Sequence, residues 1–357
     1  MHKRSKSLTW ALNQFKNRSL QGFSYRFNRG FAKPTRIIFC VTLRCNIHCK
    51  MCGIWKSPKP EELSAHEWKQ VIYNLRKWIG PCRIQLAGGE TFVRDDITDI
   101  VRFATENNVL TGVVTNGTMI TKERAKDIVD SGLGYIHISV DGIKADTHDF
   151  IRGITGVHDK AIRGLDYLRE AADGSGMSIC LATIIMKQNM YELIDLVHLV
   201  EEKGLDGIIF NPLGPTIDSD PEWYKNNELW FDDLSEINRI LDKLIELKKK
   251  GAKILNPPEQ FQAMKKYFEK PDITVPERCM VGVTNLSITC DGYIHTCFKM
   301  PPLGNVRETD FENAWDSENA REIRKKIKSC DIHCSQFGNF VYRRSLLSEA
   351  LRYLRYG

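Results

Sequence analysis

The chain has 357 residues, a formal net charge of +6 and 42% hydrophobic residues, a composition typical of a globular protein with one large and one smaller domain. The basic N-terminus is not followed by a continuous apolar segment, so no secretory signal is predicted. No run of about 18 apolar residues predicts a membrane-spanning helix. The eleven cysteines are therefore expected to be metal ligands in a reducing cytoplasm rather than disulfides of a secreted protein.

Residues 1–35 form a basic N-terminal segment in which aromatic and aliphatic side chains are interleaved with Lys and Arg, and no acid occurs before Glu61. One interpretation is an amphipathic helix packed on the enzyme body with a solvated basic face. A second is peripheral contact with a membrane surface, and a third, less favoured, is contact with nucleic acid. Residues 341–357 repeat the pattern and are predicted to form a basic C-terminal helix.

Between residues 36 and 215, short β-branched runs alternate with helical patterns, which predicts six strand-helix units and a parallel sheet. The predicted strands are 37–41, 83–87, 110–115, 135–140, 177–185 and 207–211. The predicted helices are 64–78, 97–106, 122–130, 160–172 and 190–203. Ser64 and Glu67 form a capping box at the start of the first helix. Six units indicate an α/β fold, a partial (β/α)6 TIM-like barrel, whose reactive groups lie at the carboxyl ends of the strands.

Three cysteines, Cys45, Cys49 and Cys52, follow the first predicted strand with the spacing Cys-x3-Cys-x2-Cys. Three thiolates can ligate three irons of a cubane cluster and leave the fourth iron open to a non-protein ligand. The alternative is a partial zinc site, although zinc normally takes four closed ligands or three plus water.

Polar and glycine residues follow the next three strands at the same predicted edge of the sheet. They are Gly88, Gly89 and Glu90 after the second strand, Thr115 and Asn116 at the end of the third, and Ser139 and Asp141 at the end of the fourth. Two glycines let the backbone approach a ligand closely, and an acid can receive an ammonium group. Arg152 could donate two parallel hydrogen bonds to a carboxylate. The alternatives are a simple turn for Gly-Gly-Glu, a turn residue for Asp141 and a surface position for Arg152.

Residues 216–274 lack this alternation and are predicted to form a helical bridge, with a charged helix over 234–250. Residues 275–340 carry a second set of cysteines, which is predicted to bind metal. Its members are Cys279, Cys297, Cys330 and Cys334, and Cys290 and His333 lie close enough in sequence to substitute. A structural zinc site is the alternative interpretation of this set.

The Cys-x3-Cys-x2-Cys loop, followed one unit later by Gly-Gly-Glu, resembles the signature of the radical S-adenosylmethionine (SAM) superfamily. The resemblance implies that SAM binds the open iron through its methionine amino and carboxylate groups. It also implies that Gly88, Gly89 and Glu90 bind the amino group and that Arg152 pairs with the carboxylate. Thr115, Asn116, Ser139 and Asp141 resemble the segments that line the ribose and the methionine carboxylate.

Residues 275–340 resemble the twitch domain, the short form of the SPASM extension, which holds one auxiliary 4Fe-4S cluster with four cysteines. Two features depart from that pattern. The last pair is Cys330-x3-Cys334 where close relatives often have Cys-x2-Cys, and a full SPASM domain would need about three more cysteines. The implied cofactors are two 4Fe-4S clusters, one binding SAM and one auxiliary, together with SAM.

The resemblance implies an oxidoreductase in which SAM is cleaved reductively and a 5'-deoxyadenosyl radical takes a hydrogen atom from the substrate. The auxiliary cluster is expected to assist net oxidation. We expect a non-peptide substrate, whether a small molecule, a sugar or a lipid-linked molecule, because the sequence shows no added N-terminal peptide-binding domain. A flavodoxin or ferredoxin is expected to supply electrons. The alternatives are a peptide-modifying radical enzyme, a non-catalytic electron-transfer protein, and an adaptor that uses its basic ends. No residue is assigned to the catalytic step itself.

Overall fold

Six parallel strands form the barrel. The structure is a computed structural model that describes residues 8–216, 222–271, 279–330 and 334. Only the backbone is described for residues 8–16 and 18. The strands are β1 (Arg36–Thr42), β2 (Arg83–Gly88), β3 (Leu110–Thr115), β4 (Tyr135–Ser139), β5 (Ser178–Ile185) and β6 (Gly207–Pro212). Each lies within one residue of the predicted bounds because each is a short apolar run ended by turn residues. The predicted partial barrel is confirmed.

Helices cover one face of this sheet and follow the strands in alternation. After α1 (Leu8–Phe27) come α2 (Ala65–Ile79), α3 (Ile97–Glu106), α4 (Lys122–Asp130), α5 (Ala145–Arg152), α6 (Val157–Ala171), α7 (Leu193–Glu202), α8 (Leu234–Lys249) and α9 (Pro258–Glu269). The capping box at α2 is present, with the Ser64 hydroxyl accepting from the amide of Glu67 and the Glu67 carboxylate accepting from the amide of Ser64. The short helix α5 was not predicted.

The cysteine-rich region extends the barrel sheet instead of forming a separate layer. Its elements are α10 (Val281–Thr284), β7 (Asn285–Ile288), β8 (Tyr293–His295), β9 (Gly304–Asn305), α11 (Phe311–Asp316) and α12 (Glu318–Lys328). Strand β7 pairs in parallel with β1, and β8 and β9 follow in antiparallel order. The result is one sheet of nine strands in the order β6-β5-β4-β3-β2-β1-β7-β8-β9.

Side chains alternate between the two faces of the barrel sheet. On β1, Phe39 points to the helices and stacks on Trp68 of α2 with ring centroids 4.9 Å apart. Ile37 and Val41 are buried on the same side, whereas the intervening residues are only partly buried and face the inside of the barrel. The main hydrophobic core therefore lies between strands and helices, and the inner face of β1 is only partly buried.

The second half of α1 packs on the cysteine-rich region. The Ser24 hydroxyl accepts from the amide of Ala32, and Lys328 of α12 donates to the carbonyl of Arg26. Arg29 forms an ion pair with Asp316 at 2.8 Å. None of the described helices is long and apolar enough to cross a membrane. The predicted C-terminal helix over 341–357 lies outside the described residues.

Candidate functional site

The three cysteines of the first set lie together on the loop after the carboxyl end of β1. All three are free thiols, with Cys49 buried against Ile47 and Val157 and with Cys45 and Cys52 packed on the same apolar cluster. Burial raises the pKa of Cys49 to about 11, and repulsion from Cys52 acts in the same direction. Thiols that are close together, unused by disulfides and partly or fully buried fit an iron-sulfur cluster.

The two glycines of Gly-Gly-Glu let the end of β2 lie against the backbone of this cysteine loop. A Cβ on Gly88 would be 2.1 Å from the carbonyl oxygen of Thr42, and one on Gly89 would be 2.1 Å from that of Arg44. The amides of Gly89 and Glu90 donate to those two carbonyls, each at 2.8 Å. The sequence had suggested that the glycines admit a ligand. The structure gives them a second reason, because any side chain here would displace the cysteine loop.

Glu90 joins two motifs that the sequence presented separately. Its carboxylate is fully buried and accepts hydrogen bonds from the Thr115 hydroxyl at 2.7 Å, the Asn116 amide at 2.7 Å and the Phe92 amide at 3.0 Å. Burial raises the pKa of Glu90, and the donors from Asn116, Phe92 and Thr115 oppose that shift. The side chain of Asn116 in turn donates to Asn46 in the cysteine loop, at 2.8 Å. The edges of β2 and β3 are thus tied to the predicted cluster loop.

Arg152 and Asp141 form a buried ion pair directly behind Cys49. Their closest nitrogen and oxygen atoms are 2.6 Å apart, with 8% and 0% of the two side chains exposed. A second guanidinium nitrogen points to the Cys49 sulfur at 3.8 Å, and the Nε atom of Arg152 has no hydrogen-bond partner among the residues that the structure describes. Asp141 also accepts from the amide of Ile184 at 2.9 Å. Arg152 is therefore not a surface residue, and its cation lies beside a predicted ligand of the cluster. Ser139 is partly buried at the end of β4.

Three residues of this site carried no signal in the sequence. His148 of α5 is buried and its Nδ1 atom accepts from the amide of Asp141 at 3.1 Å, while burial lowers its pKa to about 2. The Asn189 side chain donates to the carbonyl of Asp141 at 2.8 Å. Gly153 ends α5 with φ of +74°, and a Cβ there would lie 2.4 Å from the carbonyl oxygen of His48 in the cysteine loop. These contacts are long-range, so no local pattern could reveal them.

The four thiols of the second set also converge. Burial raises the pKa of Cys279 to about 11, and repulsion from the other three members of the set adds to it. These are Cys334, Cys297 and Cys330. Cys290 is instead close to Cys40, whose pKa its thiol helps to raise, and His333 lies outside the described residues. Four free thiols brought together from separate segments fit a four-cysteine cluster. Among the described residues, no group of three or more His, Cys, Asp or Glu side chains could hold a single metal ion.

The two cysteine sets lie at opposite ends of the strands of the sheet. The loop with Cys45 follows the carboxyl end of β1. Cys279 precedes α10, which leads into the amino end of β7. Cys297 follows β8, which runs antiparallel to β7 and therefore returns to the amino end of β7. At 3.3 Å per residue, the seven-residue strand β1 separates the two ends by about 20 Å. The inner face of the barrel spans the distance between them.

Fold and site together define a partial barrel with one cysteine loop at the strand ends and a cysteine-rich extension. The family model of the Radical SAM superfamily matches residues 39–200, and the SPASM model, an iron-sulfur cluster-binding domain, matches residues 279–336. The chain belongs to the radical SAM superfamily and carries a SPASM domain. It is therefore an enzyme whose cofactors are SAM, a 4Fe-4S cluster and an auxiliary iron-sulfur cluster.

The names of similar proteins indicate that they act on different substrates. An AdoMet-dependent heme synthase of Methanosarcina barkeri is 28% identical over 82% of this chain and 84% of its own length. A PqqA peptide cyclase of Bradyrhizobium diazoefficiens is 26% identical over 47% of this chain and 44% of its own. The structure of Streptococcus suis SuiB bound to precursor peptide SuiA has a TM-score of 0.66 and 16% identity, covering 92% of this chain and 74% of SuiB. At this identity the SuiB match supports the fold alone. The roles of individual site residues stay predictions.

Proposed function

We propose that this enzyme oxidises a non-peptide small molecule by radical chemistry inside the barrel. The observation that carries the proposal is the placement of the two cysteine sets at opposite ends of the strands of one sheet, with the partly buried inner face of the barrel between them. The bound cofactors would supply the chemistry: reductive cleavage of SAM, hydrogen-atom abstraction from the substrate and removal of an electron from the substrate radical. A substrate on the inner face would lie within reach of both ends.

The chain's own residues would position and shield these groups. Cys45, Cys49 and Cys52 would hold the SAM-binding cluster against an apolar cluster of side chains, where electrostatic interactions are stronger than in water. Glu90 would present a carboxylate to the SAM ammonium group, together with the neighbouring glycine carbonyls. Arg152 would place its cation beside the cluster ligand Cys49.

The set Cys279, Cys297, Cys330 and Cys334 would hold a single auxiliary cluster, which makes this SPASM domain a twitch-like short form. The predicted division is 36–215 for the barrel, 216–274 for the bridge and 275–340 for the auxiliary domain. Strand β7 fixes the auxiliary domain against β1 through parallel pairing from Arg36 to Phe39. The auxiliary cluster would therefore sit at a fixed distance from the substrate, as an electron acceptor requires.

A non-peptide substrate is favoured by sequence identity and not by the extent of the similarity. The heme synthase is 28% identical over 82% of this chain, whereas a PqqA peptide cyclase of Rhizobium meliloti is 24% identical over 80% of this chain and 75% of its own length. A peptide substrate is the second candidate, because the fold also matches SuiB in complex with its precursor peptide. The two candidates differ in the size of the molecule that must enter the barrel.

The test begins with anaerobic reconstitution, reduction and addition of SAM, followed by mass spectrometry for 5'-deoxyadenosine. A metabolite extract separated into peptide and non-peptide fractions is then added to the reduced enzyme. We expect the non-peptide fraction to increase 5'-deoxyadenosine formation and to lose a component by mass. Stimulation by the peptide fraction alone would favour the second candidate. Absence of any SAM cleavage in the reconstituted protein would refute both.

We also propose that this enzyme is cytoplasmic and docks reversibly on anionic membranes through α1. Phe23 and Phe27 are 58% and 59% exposed and are spaced four residues apart, so they lie on one exposed face of α1, and Phe31, four residues after the helix ends, is 49% exposed. Each basic residue near an anionic surface contributes about 1 kcal/mol, and aromatic rings settle at the headgroup level. Docking would bring a lipid-linked substrate near the barrel.

Co-sedimentation with anionic and neutral vesicles tests this docking. Replacing Phe23, Phe27 and Phe31 by Ser should abolish binding to anionic vesicles. A matched control replaces Tyr73 and Tyr191, which are 55% and 61% exposed elsewhere on the barrel, and should bind as the wild type does. Two results would contradict membrane docking: equal vesicle binding by the triple Phe variant and the wild type, or no binding of the wild type at low salt. In either case α1 serves only to pack on the protein, and a soluble substrate is favoured over a lipid-linked one.

A further inference from the structure

The Arg152 side chain is held against Cys49 by backbone contacts on both sides of the pair. The amide of Lys50 donates to the carbonyl of Ile151 at 3.0 Å. On the other side, a Cβ on Gly153 would lie 2.4 Å from the carbonyl oxygen of the residue before Cys49. Between these two contacts, a guanidinium nitrogen of Arg152 donates to the Cys49 sulfur at 3.8 Å. The fold itself therefore places this cation at one thiol of the first set.

The helix that carries Arg152 is also fixed at its other end. Glu192, just before α7, is buried, and its carboxylate accepts from the amides of Ile143 and Lys144 at 2.7 and 3.0 Å. It also accepts from the Thr147 hydroxyl at 2.6 Å. Because both ends of this short helix are held, Arg152 has little freedom to turn away from the cysteine loop.

Two buried charges of opposite sign act on the Cys49 sulfur. The Arg152 guanidinium donates both to that sulfur and to the Asp141 carboxylate, the latter at 2.6 Å. The Asp141 charge acts on the Cys49 thiol in the direction opposite to that of Arg152. Charges interact more strongly in a protein interior than in water, so a change of charge at the sulfur is felt by both side chains.

Reduction of a cluster ligated by this sulfur adds negative charge beside Arg152. A low-potential flavin or iron-sulfur carrier would supply the single electron, and no atom or proton need be transferred. Net charge and hydrogen bonds to the sulfurs are among the factors that set the reduction potential of such clusters. A cation that donates to a ligating sulfur favours the reduced form, and a carboxylate next to that cation opposes it.

We propose that Arg152 raises the reduction potential of the cluster at Cys45, Cys49 and Cys52, and that Asp141 partly offsets this effect. The inference rests on the proposed function, because it assumes that Cys49 is a cluster ligand. It gives the pair a role before SAM binds, which is to make the cluster easier to reduce. The opposite signs of the two charges make the proposal testable one residue at a time.

An anaerobic redox titration of the holoenzyme without SAM, followed by electron paramagnetic resonance, tests this role. A parallel sample with SAM identifies the SAM-binding cluster as the one whose signal changes. The variants are Arg152→Gln and Asp141→Asn, with Arg152→Lys as the conservative change. The auxiliary cluster serves as an internal control. The control variant is Arg102→Gln, on the exposed face of α3, where Arg102 pairs with Asp99 of the same helix.

We expect Arg152→Gln to lower the ratio of reduced to oxidised SAM-binding cluster at a fixed potential by about tenfold, because a buried cation and a charge-assisted hydrogen bond are lost. For a one-electron couple this is a shift of about 59 mV. Arg152→Lys should lose less, and Asp141→Asn should shift the ratio the other way. The auxiliary cluster and Arg102→Gln should be unchanged.

The direction of the shifts separates charge from damage to the fold. A loosened loop would move the potential in the same direction in Arg152→Gln and Asp141→Asn, so shifts of equal sign would overturn the proposal. An unchanged potential in Arg152→Gln would overturn it as well.

A second comparison covers the case in which Arg152→Gln does not fold or does not hold its cluster. The double variant Arg152→Gln/Asp141→Asn leaves no buried carboxylate without its cation, and its potential should lie below that of Asp141→Asn alone. Equal potentials in these two variants would refute the role of Arg152. A SAM-responsive signal whose potential ignores the substitutions would leave the proposed function standing. Absence of any SAM-responsive signal in the wild type would refute the proposed function and this inference with it.

Discussion

The two cysteine sets are built in different ways. The first lies on one short loop, and the surrounding backbone fixes that loop through hydrogen bonds from Gly89 to Thr42, from Glu90 to Arg44 and from Lys50 to Ile151. The second gathers four thiols from three separate segments of the chain. The first site is therefore shaped by the barrel, whereas the second is expected to depend more on the metal for its order, because metal binding and folding are coupled in such sites.

The largest expected difference between the two sites comes from removing the first set of thiols. Converting Cys45, Cys49 and Cys52 together to Ala should abolish SAM cleavage and remove about half of the roughly eight iron atoms expected from two four-iron clusters. The protein should stay folded, because the backbone bonds around the loop do not involve the thiols. Iron analysis, 5'-deoxyadenosine assays and circular dichroism provide the measurements. Cys82→Ala is the control, and retained cleavage in the triple variant would contradict the assignment.

Removal of the second set should affect turnover and local order. With Cys279, Cys297, Cys330 and Cys334 changed to Ala, we expect some SAM cleavage to persist while product formation is lost. Limited proteolysis should cut residues 279–330 more readily than in the wild type, and the barrel should remain resistant. The matched control Cys290→Ala should keep all of its iron, since that thiol lies near Cys40 instead. Zinc in place of iron in the wild type, or iron loss in the control, would show that the ligand set is wrong.

The buried pair behind the first cysteine loop gives the next largest effect. Arg152→Gln leaves the carboxylate of Asp141 buried without its cation, and breaking such a pair typically costs about 3–5 kcal/mol of unfolding free energy. Urea unfolding of the anaerobic holoenzyme measures the loss. Adding Asp141→Asn should restore part of the stability. Arg102→Gln, which breaks an exposed pair, should cost less than about 1 kcal/mol. A loss as small as that in Arg152→Gln would show that the pair does not support the loop.

The smallest expected effect on stability concerns an ion pair that joins the SPASM domain to the barrel. Arg307, after β9, pairs with Glu67 of α2 at 2.7 Å, and this partner, with the amide of Ser64, lowers the pKa of Glu67 to about 2. Because the folded pKa lies below the unfolded value of about 4.3, the contribution is present above that value and is lost as the pH falls towards 2.

Arg307→Gln should therefore destabilise the protein by less than about 1 kcal/mol near neutral pH, since the pair is partly exposed. The difference from the wild type should disappear in acid. Urea unfolding across pH measures it, and Arg307→Lys should restore part of the stability. A difference that stays constant with pH would exclude this pair as its cause.

The sequence predicted the barrel well because its signals are local. Strand β3 and helices α3 and α4 begin and end at the predicted residues, since each is a periodic apolar segment closed by turn or capping residues. Helix α5 was missed because its eight residues are mostly polar, and it is held by the burial of His148, Ile151 and Arg152. Strands β7 to β9 have two to four residues each, too few for a period to appear.

Much of the candidate site was also predictable, but its arrangement was not. The cysteines and Gly-Gly-Glu are contiguous motifs, so they can be read from one sequence. The hydrogen bonds from Thr115 and Asn116 to Glu90 cross two strands and depend on register. Register follows from packing across the whole sheet and leaves no mark on a single segment.

The pairing of β7 with β1 has a consequence for the barrel as an independent unit. Without β7, one side of β1 would present unpaired amide and carbonyl groups at an open sheet edge, a template for pairing with other chains. The SPASM domain therefore covers this edge of the barrel sheet as well as carrying cysteines. A barrel cut off before residue 279 would expose this edge even if all of its own cofactor ligands were intact.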